Sequence, residues 1–360
     1  MTTKAEKRLK KLWRLAGGQL GGMLVTSPEN VRYLSGFTGT EGTLVLTRDG
    51  GFFFTDGRYT TQACQQVQAF EVITFRRKLA EIGRLLKKKR LSPVGFESRS
   101  VTVSFLRELE REARGVQFVP CDEQLDGLRA VKDAAEIRLL KKAARIASES
   151  LAEILPLIRP GISETDVAAE LEFRMRRRGG DAAAFQTIVA SGLRSALPHG
   201  TASEKKIENG DLVTIDYGAV YQGFCSDETC TFVAGRPSAK QKKIYETVRQ
   251  AHDLALEAVC PGRLLSDVDA AARMHIDGAG YKRYFNHGTG HGVGLCVHEP
   301  PVVSFRSRAT MQKGMVFTVE PGIYLPGWGG VRIEDTVCVT ADGYELITPS
   351  NKDLQSIGDC

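Results

Sequence analysis

Gly210-Asp-Leu-Val-Thr-Ile-Asp216 comes back further along the chain as Gly314-Met-Val-Phe-Thr-Val-Glu320. In both copies a glycine precedes an apolar run and a carboxylate closes it. The match is not isolated. Pro160-Gly161, four residues and Asp166-Val167 recur as Pro261-Gly262, four residues and Asp267-Val268, each time between a long helical stretch and a second one. An internal repeat constrains architecture more than any residue propensity does. Each half reads helix, helix, then a strand ending in a carboxylate. Two such halves related by a pseudo-dyad turn their carboxylates toward one shared cleft.

Residues 1 to about 121 lie outside the repeat and alternate short strands with helices. Leu44-Val45-Leu46 and Phe52-Phe53-Phe54 flank Arg48-Asp49-Gly50-Gly51 and predict a hairpin. Helical stretches near 3–16, 58–68, 78–90 and 101–114 complete a small α/β unit. A boundary follows Pro120-Cys121-Asp122, and Asp133-Ala-Ala-Glu136 then has the spacing of a capping box. The helix it starts carries Ile137, Leu140, Ala144 and Ala147 on one stripe. The expected fold class is α/β (α+β), with a small domain over 1–127 and a pseudo-symmetric one over 128–360. A length of 360 residues fits two cores better than one.

Composition excludes several classes. With 42% hydrophobic and 26% charged residues the chain is that of a globular protein. No apolar run approaches the roughly 20 residues of a membrane span. Lys4, Lys7, Lys10 and Lys11 are followed by no apolar segment or small-residue cleavage site, so an amphipathic helix rather than a secretory signal is expected there. The net charge of +6 is spread along the chain, and its one dense run, Lys87-Lys88-Lys89-Arg90, ends a helical stretch where cations suit the helix dipole. No nucleic-acid partner is expected. The eight cysteines, Cys360 among them, form no CxxC pair, which points to reduced thiols in a cytoplasmic protein.

The acids carry the chemistry. A hairpin turning at Tyr221-Gln222 sets Asp216 opposite Asp227, and one centred near Gly327 sets Glu320 opposite Glu334. Cross-strand neighbours have Cβ atoms about 5 Å apart, where like charges destabilise. Such pairs persist when a proton or a cation sits between them. Any one of these acids alone would be a solvated strand end; four at matching places would not. Their four negative charges are cancelled by two divalent ions, and with one histidine they make an oxygen-rich set suited to Mn²⁺ or Co²⁺ rather than a thiolate zinc site. No HExxH is present, which excludes a zincin. Three of the six histidines, His287, His291 and His298, lie in one glycine-rich stretch, whereas His199 stands alone in a loop. His252 and His275 fall within helices and are expected at the surface or half-buried.

These motifs resemble those of the pita-bread metallopeptidases, specifically the Xaa-Pro group that contains aminopeptidase P and prolidase. Asp216 with ten residues before Asp227, His287-Gly-Thr-Gly-His291, Thr318-Val-Glu320-Pro-Gly and Gly330-Val-Arg-Ile-Glu334-Asp carry the resemblance, which extends over essentially the whole chain. It implies a creatinase/prolidase-type domain followed by a pita-bread catalytic domain. It also implies that Asp216 ligates one metal, that His291 and Glu320 ligate the other, and that Asp227 and Glu334 bridge them. Mn²⁺ is the implied ion, with Co²⁺ or Zn²⁺ as alternatives.

The same resemblance implies hydrolysis by a water that both ions activate, with Glu320 as proton acceptor. His287 and His298 would hold the scissile carbonyl, His199 the N-terminal part of the peptide, and Tyr324 and Arg332 would line the proline pocket. The implied substrates are peptides with proline second, and the implied assembly is a homodimer. The family usually has Arg where Cys230 stands, a position that is no ligand. Ser35-Gly-Phe-Thr-Gly-Thr-Glu-Gly and Thr55-Asp-Gly-Arg-Tyr59 look like the aminopeptidase P subgroup, so that activity is expected first, with prolidase as the alternative. A catalytically inactive peptide- or partner-binding module is the alternative of another class, against which retention of all the ligands argues.

Overall fold

The computed structural model describes residues 4–358, so Cys360 lies outside the described residues. It separates into two compact units, Met1–Arg129 and Ala130–Cys360. The first unit runs α1 (Lys4–Leu15), β1 (Gly22–Val25), α2 (Pro28–Ser35), β2 (Thr43–Thr47), β3 (Gly50–Thr55), α3 (Thr60–Gln66), β4 (Glu71–Thr74), α4 (Lys78–Lys88), β5 (Val94–Phe96), α5 (Val103–Glu112), β6 (Phe118–Pro120) and α6 (Asp122–Ala130). Its sheet has the order β4-β3-β2-β1-β5-β6, with the expected β2–β3 hairpin in antiparallel register. Helix α2 is not among the expected helices, although Ser27 caps it through Asn30 N, Pro28 opens it and Gly36 ends it in the left-handed region. Glu97, buried beneath it, accepts from Ser27 N and Oγ and from Asn30 Nδ2.

The second unit opens with α7 (Ala134–Ile154), whose Asp133–Glu136 capping box is formed at both bonds, and α8 (Glu164–Arg177). Strands β7 (Ala182–Ala183), β8 (Ile188–Ser191), β9 (Leu212–Tyr217), β10 (Ala219–Tyr221), β11 (Phe224–Cys225) and β12 (Glu228–Ala234) follow. Helices α9 (Ala239–Glu257) and α10 (Leu265–Gly278) begin the second half. It ends with β13 (Gly290–Gly292), β14 (Glu299–Val303), β15 (Val316–Val319), β16 (Gly322–Leu325), β17 (Gly329–Arg332), β18 (Asp335–Val339), β19 (Tyr344–Leu346) and β20 (Ser356–Ile357).

The repeat is visible in the backbone. Gly161 and Gly262 have φ of 96° and 88°, and Gly210 and Gly314 have 89° and 88°. Only glycine enters that region without steric cost, so the same residue recurs where the same turn recurs. One half packs α7 and α8 on the sheet β20-β12-β9-β8, the other α9 and α10 on β14-β13-β15-β18-β19. Ile146, Leu171, Val213 and Phe232 are buried in the first core, and Ile244, Val268, Phe317 and Val337 in the second. Hence the strands β9 and β15 that end in the repeated carboxylates are held by equivalent helix pairs.

Candidate metal centre

The second-half register runs as expected. Pairing of Val319 with Asp335 and of Gly322 with Arg332 brackets Glu320 and Glu334 on facing strands. In the first half the turn lies one residue later than expected, at Gln222-Gly223, both with positive φ. Thr229, rather than Asp227, therefore stands opposite Asp216. The slip displaces Asp227 by two positions. Because a strand alternates faces with period two, Asp227 keeps the face of Asp216 as a diagonal neighbour.

Asp216, Asp227, His291, Glu320, Glu334, His199, His287, His298, Tyr324 and Arg332 all line one cavity of about 450 Å³. Within it Asp227, His291 and Glu334 each offer a ligand atom within 4.8 Å of the others. His291 Nε2 lies 3.5 Å from Asp227 Oδ2 and 3.4 Å from Glu320 Oε1. Its Nδ1 is 3.2 Å from Gly292 O, a partner that accepts only, so Nδ1 carries the proton and Nε2 offers a lone pair to the cavity. Asp216 Oδ2 accepts from Arg332 Nη2 at 2.8 Å, while buried Oδ1 has no partner.

Arg332 spends its other donors inside the site: Nε on Thr229 Oγ1, and Nη1 on Pro198 O and Tyr324 Oη. The contact with Pro198 O anchors the loop that carries His199. His287 is engaged at both nitrogens, with Nδ1 donating to Gly288 O and Nε2 accepting from Tyr324 Oη at 3.0 Å. It is thus placed to orient Tyr324, whereas His298 is exposed to the cavity with its ring centroid 4.0 Å from that of His291. Thr229 and Thr318 were missed from the sequence. Thr229 Oγ1 donates to Glu334 Oε2 at 2.6 Å, and Thr318 Oγ1 to Glu320 Oε1 at 3.2 Å. Thr318 was legible in principle, two positions before Glu320 and so on its face.

The family of this chain follows from two matches. Residues 138–341 match the model of metallopeptidase family M24, and residues 7–131 match the creatinase/prolidase N-terminal domain. The chain belongs to metallopeptidase family M24. An Xaa-Pro dipeptidase from Pyrococcus horikoshii is 39% identical over 97% of this chain and 98% of its own. Among solved structures, the Xaa-Pro dipeptidase from Bacillus anthracis matches at a TM-score of 0.95 with 42% identity, covering 98% of this chain and 100% of that one. The X-Pro aminopeptidase from Thermotoga maritima matches at 0.89 with 35% identity, covering 96% and 100%.

An M24 enzyme uses divalent metal, and this donor set suits one. Burial, then the neighbouring carboxylates, push Asp227 and Glu334 well above the usual carboxylate range. Burial raises Asp216 too and brings Glu320 to about 7. His287 and His291 go the other way, to about 4, because burial disfavours the imidazolium. Four crowded carboxylates, an orphaned Asp216 Oδ1 and an unprotonated Nε2 are what a divalent cation relieves.

A pH dependence follows for the metal-free M24 protein. Glu320 sits at about 7 against an ordinary 4.5, so its contribution to stability is full below about 4.5 and is lost as pH rises through about 7. The two histidines act oppositely, and their contribution is lost as pH falls from about 6.5 through about 4. Above pH about 6.5 only the carboxylates still act, so the melting temperature of chelated protein should fall. Metal should release protons on binding near pH 6, measured by calorimetry in buffers of different ionisation enthalpy. Uptake without proton release would mean that the carboxylates are already ionised.

Proposed function

We propose that this protein is a dinuclear-metal peptidase that hydrolyses the Xaa-Pro bond, with residues 128–360 as its catalytic part. The convergence of Asp227, His291 and Glu334, with Glu320 against His291, is the observation that carries the reading. Two divalent ions held by Asp216, Asp227, His291, Glu320 and Glu334, Mn²⁺ first among the candidates, would polarise the scissile carbonyl and acidify the attacking water. Glu320 would take that water's proton and pass it to the leaving prolyl nitrogen. His298, exposed to the cavity, would donate to the carbonyl oxygen as charge builds there. His199 would meet the N-terminal part of the peptide, with Tyr324 and Arg332 as one wall of the proline pocket.

The tertiary amide of an Xaa-Pro bond has no N–H. Recognition must therefore come from the ring, and the buried Tyr324 beside Arg332 supplies a wall for it. Peptide length divides two enzyme readings. The Pyrococcus horikoshii and Bacillus anthracis relatives favour a dipeptidase, whereas the Thermotoga maritima neighbour supports an aminopeptidase. The first-unit motifs that point to the aminopeptidase weigh less, because they build a local corner. Asp56 accepts from Arg58, Thr40 and Tyr59 share a hydroxyl contact, and Phe37 packs edge-on against Tyr59. Such a corner serves either enzyme, so the dipeptidase reading leads. A cytoplasmic enzyme fits the free thiols of buried Cys121 and Cys338. A homodimer belongs to the same reading.

The assay compares Ala-Pro, Ala-Pro-Ala and Ala-Ala-Ala after loading with Mn²⁺, Co²⁺ or Zn²⁺. Alanine in second place loses the apolar ring and restores an N–H. An unsatisfied buried donor costs ~1–3 kcal/mol, so cleavage should slow by about tenfold or more. Turnover confined to Ala-Pro marks a dipeptidase, and turnover of Ala-Pro-Ala an aminopeptidase. Equal rates on alanine and proline peptides would overturn the Xaa-Pro assignment and leave the metal site standing.

A further inference from the structure

Asp227 and Glu334 are each followed by another acid, Glu228 and Asp335. Consecutive strand positions face opposite ways, so each proposed bridging ligand has a carboxylate directly behind it. Both are buried: Glu228 is 1% exposed and Asp335 3%. Between them lies one ammonium. Lys352 Nζ donates to Glu228 Oε1 at 2.5 Å and lies 3.5 Å from Asp335 Oδ1, its side chain 5% exposed. The remaining contacts are polar and short. Ser148 Oγ and Tyr217 Oη donate to Glu228 Oε2 at 2.6 and 2.9 Å, and Ser350 N donates to Oε1 at 3.2 Å. Asp335 accepts from Thr348 Oγ1 at 2.6 Å, with His252 Nε2 at 3.3 Å.

From this geometry we infer that Lys352 is a positioning residue for the metal centre: it ties β12 to β18 from behind and so sets the spacing of Asp227 and Glu334. The inference rests on the dinuclear reading above. Glu228 belongs to one half of the repeat and Asp335 to the other, so a single cation bridges the halves directly behind the two acids that must share ions. It also accounts for Cys230. The Cys230 Sγ atom is 3.5 Å from Lys352 Nζ, so the position where the resemblance leads one to expect arginine is served here by an ammonium from the C-terminal segment. That segment is anchored by Tyr245 Oη, which donates to Lys352 O, and by β20, which pairs with β12.

Lys352→Met tests the role, with chelator competition measuring metal affinity and steady-state assays measuring turnover. Outer partners of metal ligands typically contribute about 10- to 100-fold in affinity or activity. Lys352→Met should therefore bind metal at least about tenfold more weakly and lose kcat, with KM for Ala-Pro nearly unchanged and native circular dichroism. Cys230→Arg/Lys352→Met should recover most of both, because Cys230 borders a cavity of about 450 Å³ that can take a longer side chain. The double variant also covers the case in which Lys352→Met fails to fold, since rescue then appears as recovered soluble, metal-loaded protein. Wild-type affinity in Lys352→Met, or no rescue by the double variant, would overturn the inference. Wild-type protein that binds no metal would instead overturn the dinuclear reading, and the inference with it.

Discussion

Glu334→Gln and Asp227→Asn each lose bound metal and activity together, with affinity falling by more than about 100-fold. Both acids lie within 4.8 Å of His291 at the convergence point, so each variant removes a charge where two ions would share it. Changes one layer further out already cost about 10- to 100-fold, and a direct ligand should exceed that. A second signature separates this outcome from misfolding. Thr229 Oγ1 donates to Glu334 Oε2, and a glutamine oxygen can accept the same bond. Burial and like charges push the Glu334 carboxyl well above its usual range. Chelated Glu334→Gln should thus be at least as stable as chelated wild type at pH 8. Metal analysis, kcat and melting temperature on the same samples check all three, and a fully metallated, active Glu334→Gln would remove Glu334 from the site. His275→Ala is the control. His252, expected at the surface or half-buried, is 1% exposed and faces Asp335, so it is unsuited to that role.

His298→Ala keeps its metal and loses turnover. The side chain is exposed in the cavity, and its ring lies tilted against that of His291 without standing among the converging ligand atoms. Losing one donor to a developing oxyanion typically costs on the order of 10²–10³ in kcat. Metal content by mass spectrometry should stay at the wild-type value while kcat falls by about that factor. A large loss of metal would make His298 a ligand instead. His287→Ala is a useful contrast, because the His287 ring is committed to Gly288 O and Tyr324 Oη. Its effect should fall on KM for proline substrates more than on kcat.

What was legible in the sequence was what repeats or alternates. The duplicated glycine-to-carboxylate strands stood out because the same turn demands the same glycine, and the Glu320–Glu334 register followed from one hairpin centre. The first-half register was misjudged by the position of a turn. Gln222 adopts φ 48°, a conformation that side chains other than glycine seldom take, and nothing in Tyr221-Gln222-Gly223 marks that residue as the exception. Face was preserved because the error was an even number of residues. Long-range partners were out of reach. Lys352 meets Glu228 across 124 positions and Arg332 meets Asp216 across 116, and no local pattern encodes such pairs. The burial of His252 was hidden for the same reason, since its partner Asp335 comes from the far side of the second half.

Thr229 has a consequence for how such a duplicated protein can change. This one residue of the first half accepts Glu334 N at its carbonyl and donates to Glu334 Oε2 from its hydroxyl, and that hydroxyl also receives Arg332 Nε. Glu334, the ligand proposed from the second half, is therefore seated on a peptide unit of the first. With that seat in place, the two halves are not exchangeable parts. A chimera joining the first half of one relative to the second half of another would inherit every ligand and still misplace Glu334 wherever its parents differ in the path of this strand.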